Sequence, residues 1–133
     1  MDKKIRLLQV IPRLDVGGAE TGCKDIGQFI ANQNYFSAIL CSGGEQIKNI
    51  DRTKVKIFRF SVQSKNPLVI FFNIFVILFI VLFCKINIIH VRSRAPAWSC
   101  YFVSKLLGVS LISTFHGTYN FNNSLKKFYN SVM

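Results

Sequence analysis

Short apolar runs alternate with longer stretches of helical period along this chain. Lys4–Ile11 (KIRLLQVI) is short and rich in branched side chains, and predicts a buried strand. The glycines of Pro12–Gly18 then mark a loop. In Ala19–Gln33 the apolar positions Ala19, Cys23, Ile26 and Ile30 fall on one helical face. Tyr35–Cys41 predicts a second strand, closed by a turn at Ser42-Gly43-Gly44. After a short segment, Lys54–Phe60 alternates basic and apolar residues with the period of a strand. Pro67 suits the first position of a helix running to Cys84. Asn87–Val91 predicts a fourth strand. A helix follows from Ala95-Pro96, with Trp98, Phe102 and Leu106 facing one way and Gly108 as its stop. Val109–Phe115 predicts a fifth strand. The polar tail Thr118–Met133 carries Leu125, Phe128 and Tyr129 at helical spacing.

Alternation of strands and helices predicts an α/β fold, a Rossmann-like, doubly wound parallel sheet. Such sheets bind ligands beyond the C-terminal ends of their strands. Three loops meet that description: Arg13–Gly18, Arg92–Arg94 and His116–Tyr119.

Leu68–Cys84 holds one polar residue, Asn73, and raises the rival reading of a small membrane-anchored protein with a helix at 68–84 and no catalytic role. At ~1.5 Å per residue the stretch spans roughly 25 Å, short of a ~30 Å hydrocarbon core. A spanning helix would also put the Gly17-Gly18 loop and His116 on opposite sides of a membrane. The expected alternative is a crossover helix whose apolar outer face lies on a bilayer surface.

Composition narrows the partners. Seventeen basic residues against six acids give a formal charge of +11 over 133 residues. The basic residues are scattered, and the 13 phenylalanines sit in apolar runs rather than among them, so no nucleic-acid stacking platform is expected. An anionic membrane surface is the expected partner of the charge. Cys23, Cys41, Cys84 and Cys100 form no CxxC pair and no zinc-site spacing, and read as reduced, apolar thiols, with no metal site expected. The N-terminal apolar run ends at Pro12-Arg13, too short for a signal-peptide core. The expected location is cytoplasmic, peripheral to the inner face of the membrane.

The candidate chemistry lies in the three loops. Gly17-Gly18 lets backbone approach a phosphate or sugar at a helix N-terminus, or simply makes a tight turn. It is not GxGxxG, so no dinucleotide site is indicated. Arg92-Ser93-Arg94 can clamp a carboxylate or phosphate, or stand as solvated arginines. His116, followed by Gly117, can donate a hydrogen bond or move a proton, or cap its loop. His90, inside a strand, reads as structural. The six acids form no acid–base pair by spacing.

Three blocks together resemble glycosyltransferase family 4: Val10-Ile11-Pro12 through Val16-Gly17-Gly18-Ala19-Glu20, then Ile89–Trp98, then Ser113–Tyr119. The resemblance implies the N-terminal, acceptor-side domain of a GT-B fold, of the type that builds lipopolysaccharide or related surface glycans. It implies a retaining transfer from a nucleotide sugar to a glycan or lipid-linked acceptor, with the nucleotide sugar as co-substrate and no cofactor. Gly17 and Gly18 would approach the donor phosphates or the transferred sugar. His116 would be the catalytic candidate, with Gly117 beside it, and Arg92, Ser93 and Arg94 would line the acceptor side. Residues 1–133 would then be a truncated domain. The donor-binding domain would be absent or separately encoded, and the chain inactive alone.

Overall fold

The computed structural model describes residues 4–114. Five strands, β1 (Arg6–Val10), β2 (Phe36–Cys41), β3 (Val55–Arg59), β4 (Ile88–Val91) and β5 (Ser110–Ser113), form one parallel sheet in the order β3-β2-β1-β4-β5. The helices are α1 (Gly18–Asn32), α2 (Pro67–Phe83) and α3 (Arg94–Leu107), and a single 3-10 turn spans Glu45–Asn49. The α/β architecture expected from the alternation is the one observed.

Side chains alternate across each strand and divide the core in two. Leu8, Val10, Leu40, Ile89 and Val91 pack with α2 and α3, while Ile11, Ile39, Cys41 and Val55 pack with Cys23 and Ala31 of α1. Both strand faces are therefore apolar, as a covered parallel sheet requires. All four cysteines are buried free thiols. Burial pushes the Cys23 thiol up to about 12, and Cys100 also rises.

Helices α1 and α3 hide small residues and expose large ones. The buried residues of α1 are Cys23, Gly27 and Ala31. The expected apolar stripe through Ile26 is rotated: Ile26 and Phe29 face outward. The reason is a close approach. A methyl group on Gly27 would lie 3.3 Å from both Gln9 Nε2 and Ile39 Cδ1, so α1 sits nearly on the sheet. In α3, Ala97, Cys100 and Val103 face inward, whereas Phe102 and Leu106 are exposed.

Helix α2 begins where Asn66 Oδ1 accepts from the Leu68 amide, with Pro67 at its first turn. Asn73, Ile77, Ile80 and Val81 are buried, and Asn73 Nδ2 donates to the Ser61 carbonyl at 3.1 Å. Ser99 Oγ of α3 donates to the Ile70 carbonyl. The strands on either side of α2, β3 and β4, belong to the same sheet, which a spanning helix would forbid. No helix among the described residues is long and apolar enough to cross a membrane. The membrane-anchored alternative for residues 68–84 is therefore corrected to a crossover helix.

Asn87 fastens the start of the sheet. Its Nδ2 donates to the Lys4 carbonyl, its Oδ1 accepts from the Arg6 amide, and Arg6 Nε donates to the Cys84 carbonyl.

Candidate functional site

The sheet order reverses between β1 and β4, whose residues pair from Leu7↔Ile88 to Val10↔Val91. At such a switch point the loops leaving the two strands part in opposite directions and open a crevice. A cavity of about 250 Å³ lies there, with Ile11, Pro12, Arg13, Glu20, Arg92 and Ser93 among its walls.

The loop after β1 is held by its neighbour. The Leu14 amide donates to the Gly43 carbonyl at 2.7 Å, and the Gln46 amide to the Leu14 carbonyl at 2.8 Å. Ser42 donates to the Pro12 carbonyl through both its amide and Oγ. Leu14 itself is fully buried. This clasp requires Gly44: its φ is 141°, and an added methyl group would collide with the Leu14 backbone. By contrast, Gly17 has an extended φ of 175° open to any residue, and only the flexible Glu20 carboxylate would meet its methyl group. No atom comes within 4 Å of a methyl group built on Gly18. Gly17-Gly18 is thus no obligatory tight turn. The cavity lining takes Ala19 and Glu20 of the first turn of α1 but neither Gly17 nor Gly18, and the Glu20 side chain is folded over Gly17.

Arg92 is only 6% exposed, and its amide continues the β4–β1 ladder by donating to the Val10 carbonyl. Its Nε donates to Gln9 Oε1 at 3.0 Å, and Gln9 Nε2 donates to the Cys23 carbonyl at 2.8 Å. Gly22 leaves room for the guanidinium against α1, 3.6 Å from where a methyl group would lie. Arg92 Nη2 is buried without a hydrogen-bond partner. Desolvation weakens its hold on the proton, but an arginine stays charged. Arg13, across the cavity, is engaged in a two-point pair with Asp15 at 2.7 and 3.3 Å, which holds the Asp15 carboxyl below its ordinary range.

His90 is buried and bonds through Nε2 to Thr114 Oγ1, linking the ends of β4 and β5 as a structural histidine does. The cavity thus gathers Arg92 and Ser93 with the loop that leads into Gly17-Gly18, and Arg94 opens α3 beside them. His116 and Gly117 lie outside the described residues. Among the described residues, no group of three His, Cys, Asp or Glu is placed to hold a metal ion. Two cavity residues, Glu20 and Gln63, were not anticipated, nor was Gln9, which is fully buried behind the cavity wall and holds Arg92. Gln9 left a signal, being the polar residue in the apolar run Leu7–Ile11. A larger cavity of about 390 Å³ lies elsewhere, between α2 and the β3 edge, with Phe58, Phe60, Phe75, Phe79 and Phe83 in its walls.

The sequence profile of Glycosyltransferase Family 4 matches residues 16–133. The fold is similar to the crystal structure of a glycosyltransferase from Rickettsia africae ESF-5, at 36% identity and a TM-score of 0.80. That similarity covers 96% of this chain and 34% of the other, so this chain spans about a third of its solved relative. Among curated proteins nothing matches.

Proposed function

Because the chain belongs to Glycosyltransferase Family 4, we propose that it supplies the acceptor-side wall of a cleft in which a sugar leaves a nucleotide-sugar donor for a glycan or lipid-linked acceptor. The observation that carries this reading is the switch-point cavity, where Arg92, Ser93 and the first turn of α1 converge. Donor phosphates or the transferred sugar approach Gly17 and Gly18 by displacing the flexible Glu20 side chain from the helix N-terminus. Arg92, Ser93 and Arg94 receive the acceptor. His116 contacts the transferred sugar, with Gly117 giving it room. The donor-binding residues and the groups that make the transfer retaining belong to a second domain of the GT-B type, encoded with this chain or separately. Lipopolysaccharide or a related surface glycan is the product class. The test is transfer of labelled sugar from a panel of nucleotide sugars to glycolipid acceptors. Transfer only when this chain and a donor-binding domain are both present is expected. Transfer by residues 1–133 alone overturns the division of labour, and none with both overturns the transferase reading.

A second reading concerns location. Leu68, Phe71, Phe72, Phe75, Phe79, Leu82 and Phe83 of α2 are exposed, with Phe102 and Leu106 of α3 beside them. Exposed Lys65, Lys85 and Lys105 fringe this apolar face. Large apolar patches rimmed by charge mark interaction surfaces, and basic fringes favour anionic lipid. The face docks on an anionic bilayer surface at the cytoplasmic side, and the Phe-lined groove takes acyl chains. Sedimentation with phosphatidylglycerol vesicles but not with phosphatidylcholine vesicles is expected. Equal binding to both removes the electrostatic part, and binding to neither removes the surface.

A further inference from the structure

We propose that the cavity beside Arg92 is a subsite for an acidic sugar, a carboxylate or phosphate group of the acceptor seated on the guanidinium. This rests on the reading of the cavity as the acceptor site and names the class of acceptor. A buried arginine normally stands against a carboxylate, because an unpaired buried charge is costly. Arg92 is 94% removed from solvent, and no acid pairs with it among the described residues. Its one side-chain partner, Gln9, is neutral, so the positive charge is held in place without being cancelled. The Gln9–Cys23 bond fixes Gln9 in turn, so the guanidinium has one orientation, with Nη2 left over. A guanidinium that no carboxylate neutralises, in a residue that lines the cavity, suits an anionic group there.

A second lining residue refines the ligand. Glu20 sits in the first turn of α1 with its carboxylate over Gly17, where the helix N-terminus favours negative charge. Until a donor displaces it, the chain's own acid takes that position, and no ion pair joins Glu20 to Arg92. Glu20 can only accept hydrogen bonds and Arg92 can only donate them. A ligand satisfying both presents hydroxyl groups to Glu20 and an anionic group to Arg92. A sugar acid or a sugar phosphate does so, whereas a neutral sugar leaves Arg92 unmatched. The volume, about 250 Å³, lies below the roughly 300–1,000 Å³ of drug-sized ligand sites and suits a single sugar unit.

The test is calorimetric binding of glucose, glucuronate and glucose 6-phosphate to the protein and to two variants, Arg92→Gln and Glu20→Gln. One or both acidic sugars are expected to bind about tenfold or more tighter than glucose, the range of hydrogen bonds to a charged group. The difference between glucuronate and glucose 6-phosphate tells carboxylate from phosphate. Arg92→Gln is expected to abolish the preference for acid. Glu20→Gln, on an accessible wall and safe for folding, is expected to enlarge it by removing a like charge. Equal binding of all three sugars, with neither variant changing the ratio, overturns the acidic subsite and leaves the acceptor reading standing. Failure of every sugar to bind overturns the acceptor reading and the subsite with it.

Discussion

Glycine at position 44 and glycine at position 17 look alike in sequence and are opposites in structure. Gly44→Ala is expected to destabilise by about 2–3 kcal/mol, since the residue has a positive φ and the Leu14 backbone cannot retreat. Gly17→Ala, with an extended φ and only a flexible carboxylate to displace, is expected to cost under about 1 kcal/mol. Urea unfolding midpoints of the two variants check this, and a large loss in the second would contradict the geometry. Cys23 adds a pH dependence. Its folded thiol is raised from 9.0 to about 12 by burial, so the unfolded chain loses its proton first. The contribution is complete below about pH 9 and is lost as pH rises toward about 12. Thermal melts at pH 8 and 10.5 are expected to show a decline that Cys23→Ala lessens, the buried Cys41 and Cys100 contributing the same sign. Of the site, Arg92 and Ser93 were legible because polar residues follow an apolar strand there. Glu20 was not, since an acid in a first helical turn is ordinary; only the fold brings it to the same cavity as Arg92.

At the scale of elements, strands were easiest to read. Runs such as Leu7–Val10 and Ile88–Val91 have no other use in a parallel sheet buried on both faces. Helix faces were harder. The stripes Ile26–Ile30 and Trp98–Phe102–Leu106 have helical spacing, yet Ile26, Phe102 and Leu106 point outward, because small residues let the helices close on the sheet. Hydrophobicity alone thus picks the wrong side whenever close packing is made by Gly, Ala and Cys. The end of α2 offers a gain: Lys85 has a φ of 52°, a left-handed conformation that glycine adopts without strain. Lys85→Gly is expected to stabilise the fold by roughly 0.5–1 kcal/mol in chemical denaturation. The outer face offers a separation of roles. Phe79→Ser, at a position 67% exposed, is expected to leave the unfolding midpoint within about 0.5 kcal/mol while weakening vesicle sedimentation several-fold. A midpoint that falls sharply would show the ring to be part of the core.

At the scale of the whole molecule, the parallel order β3-β2-β1-β4-β5 decides the most consequential ambiguity in the sequence. Residues 68–84 are apolar enough to suggest a span, and the pairing of strands from both sides of them into one sheet excludes it. Alkaline carbonate washing of membranes is accordingly expected to release the protein entirely; retention in the pellet would contradict the sheet. The Asn87 fastening has a further consequence, for synthesis. The central strand β1 emerges first but lacks its β4 neighbour and the Asn87 bonds to Lys4 and Arg6 until more than eighty residues later. At roughly 5–20 residues per second, that leaves β1 half-paired for roughly 4–16 s on the ribosome. The apolar residues of α2, Ile77, Ile80 and Val81 among them, emerge within that interval, before β4 and α3 complete the core that buries them. Ribosome-bound chains stalled before Asn87 should therefore recruit chaperones and yield to protease at Leu7–Val10, and chains long enough to free β4 should resist. Birth order, as much as final packing, makes the middle of this small sheet the last part to be secured.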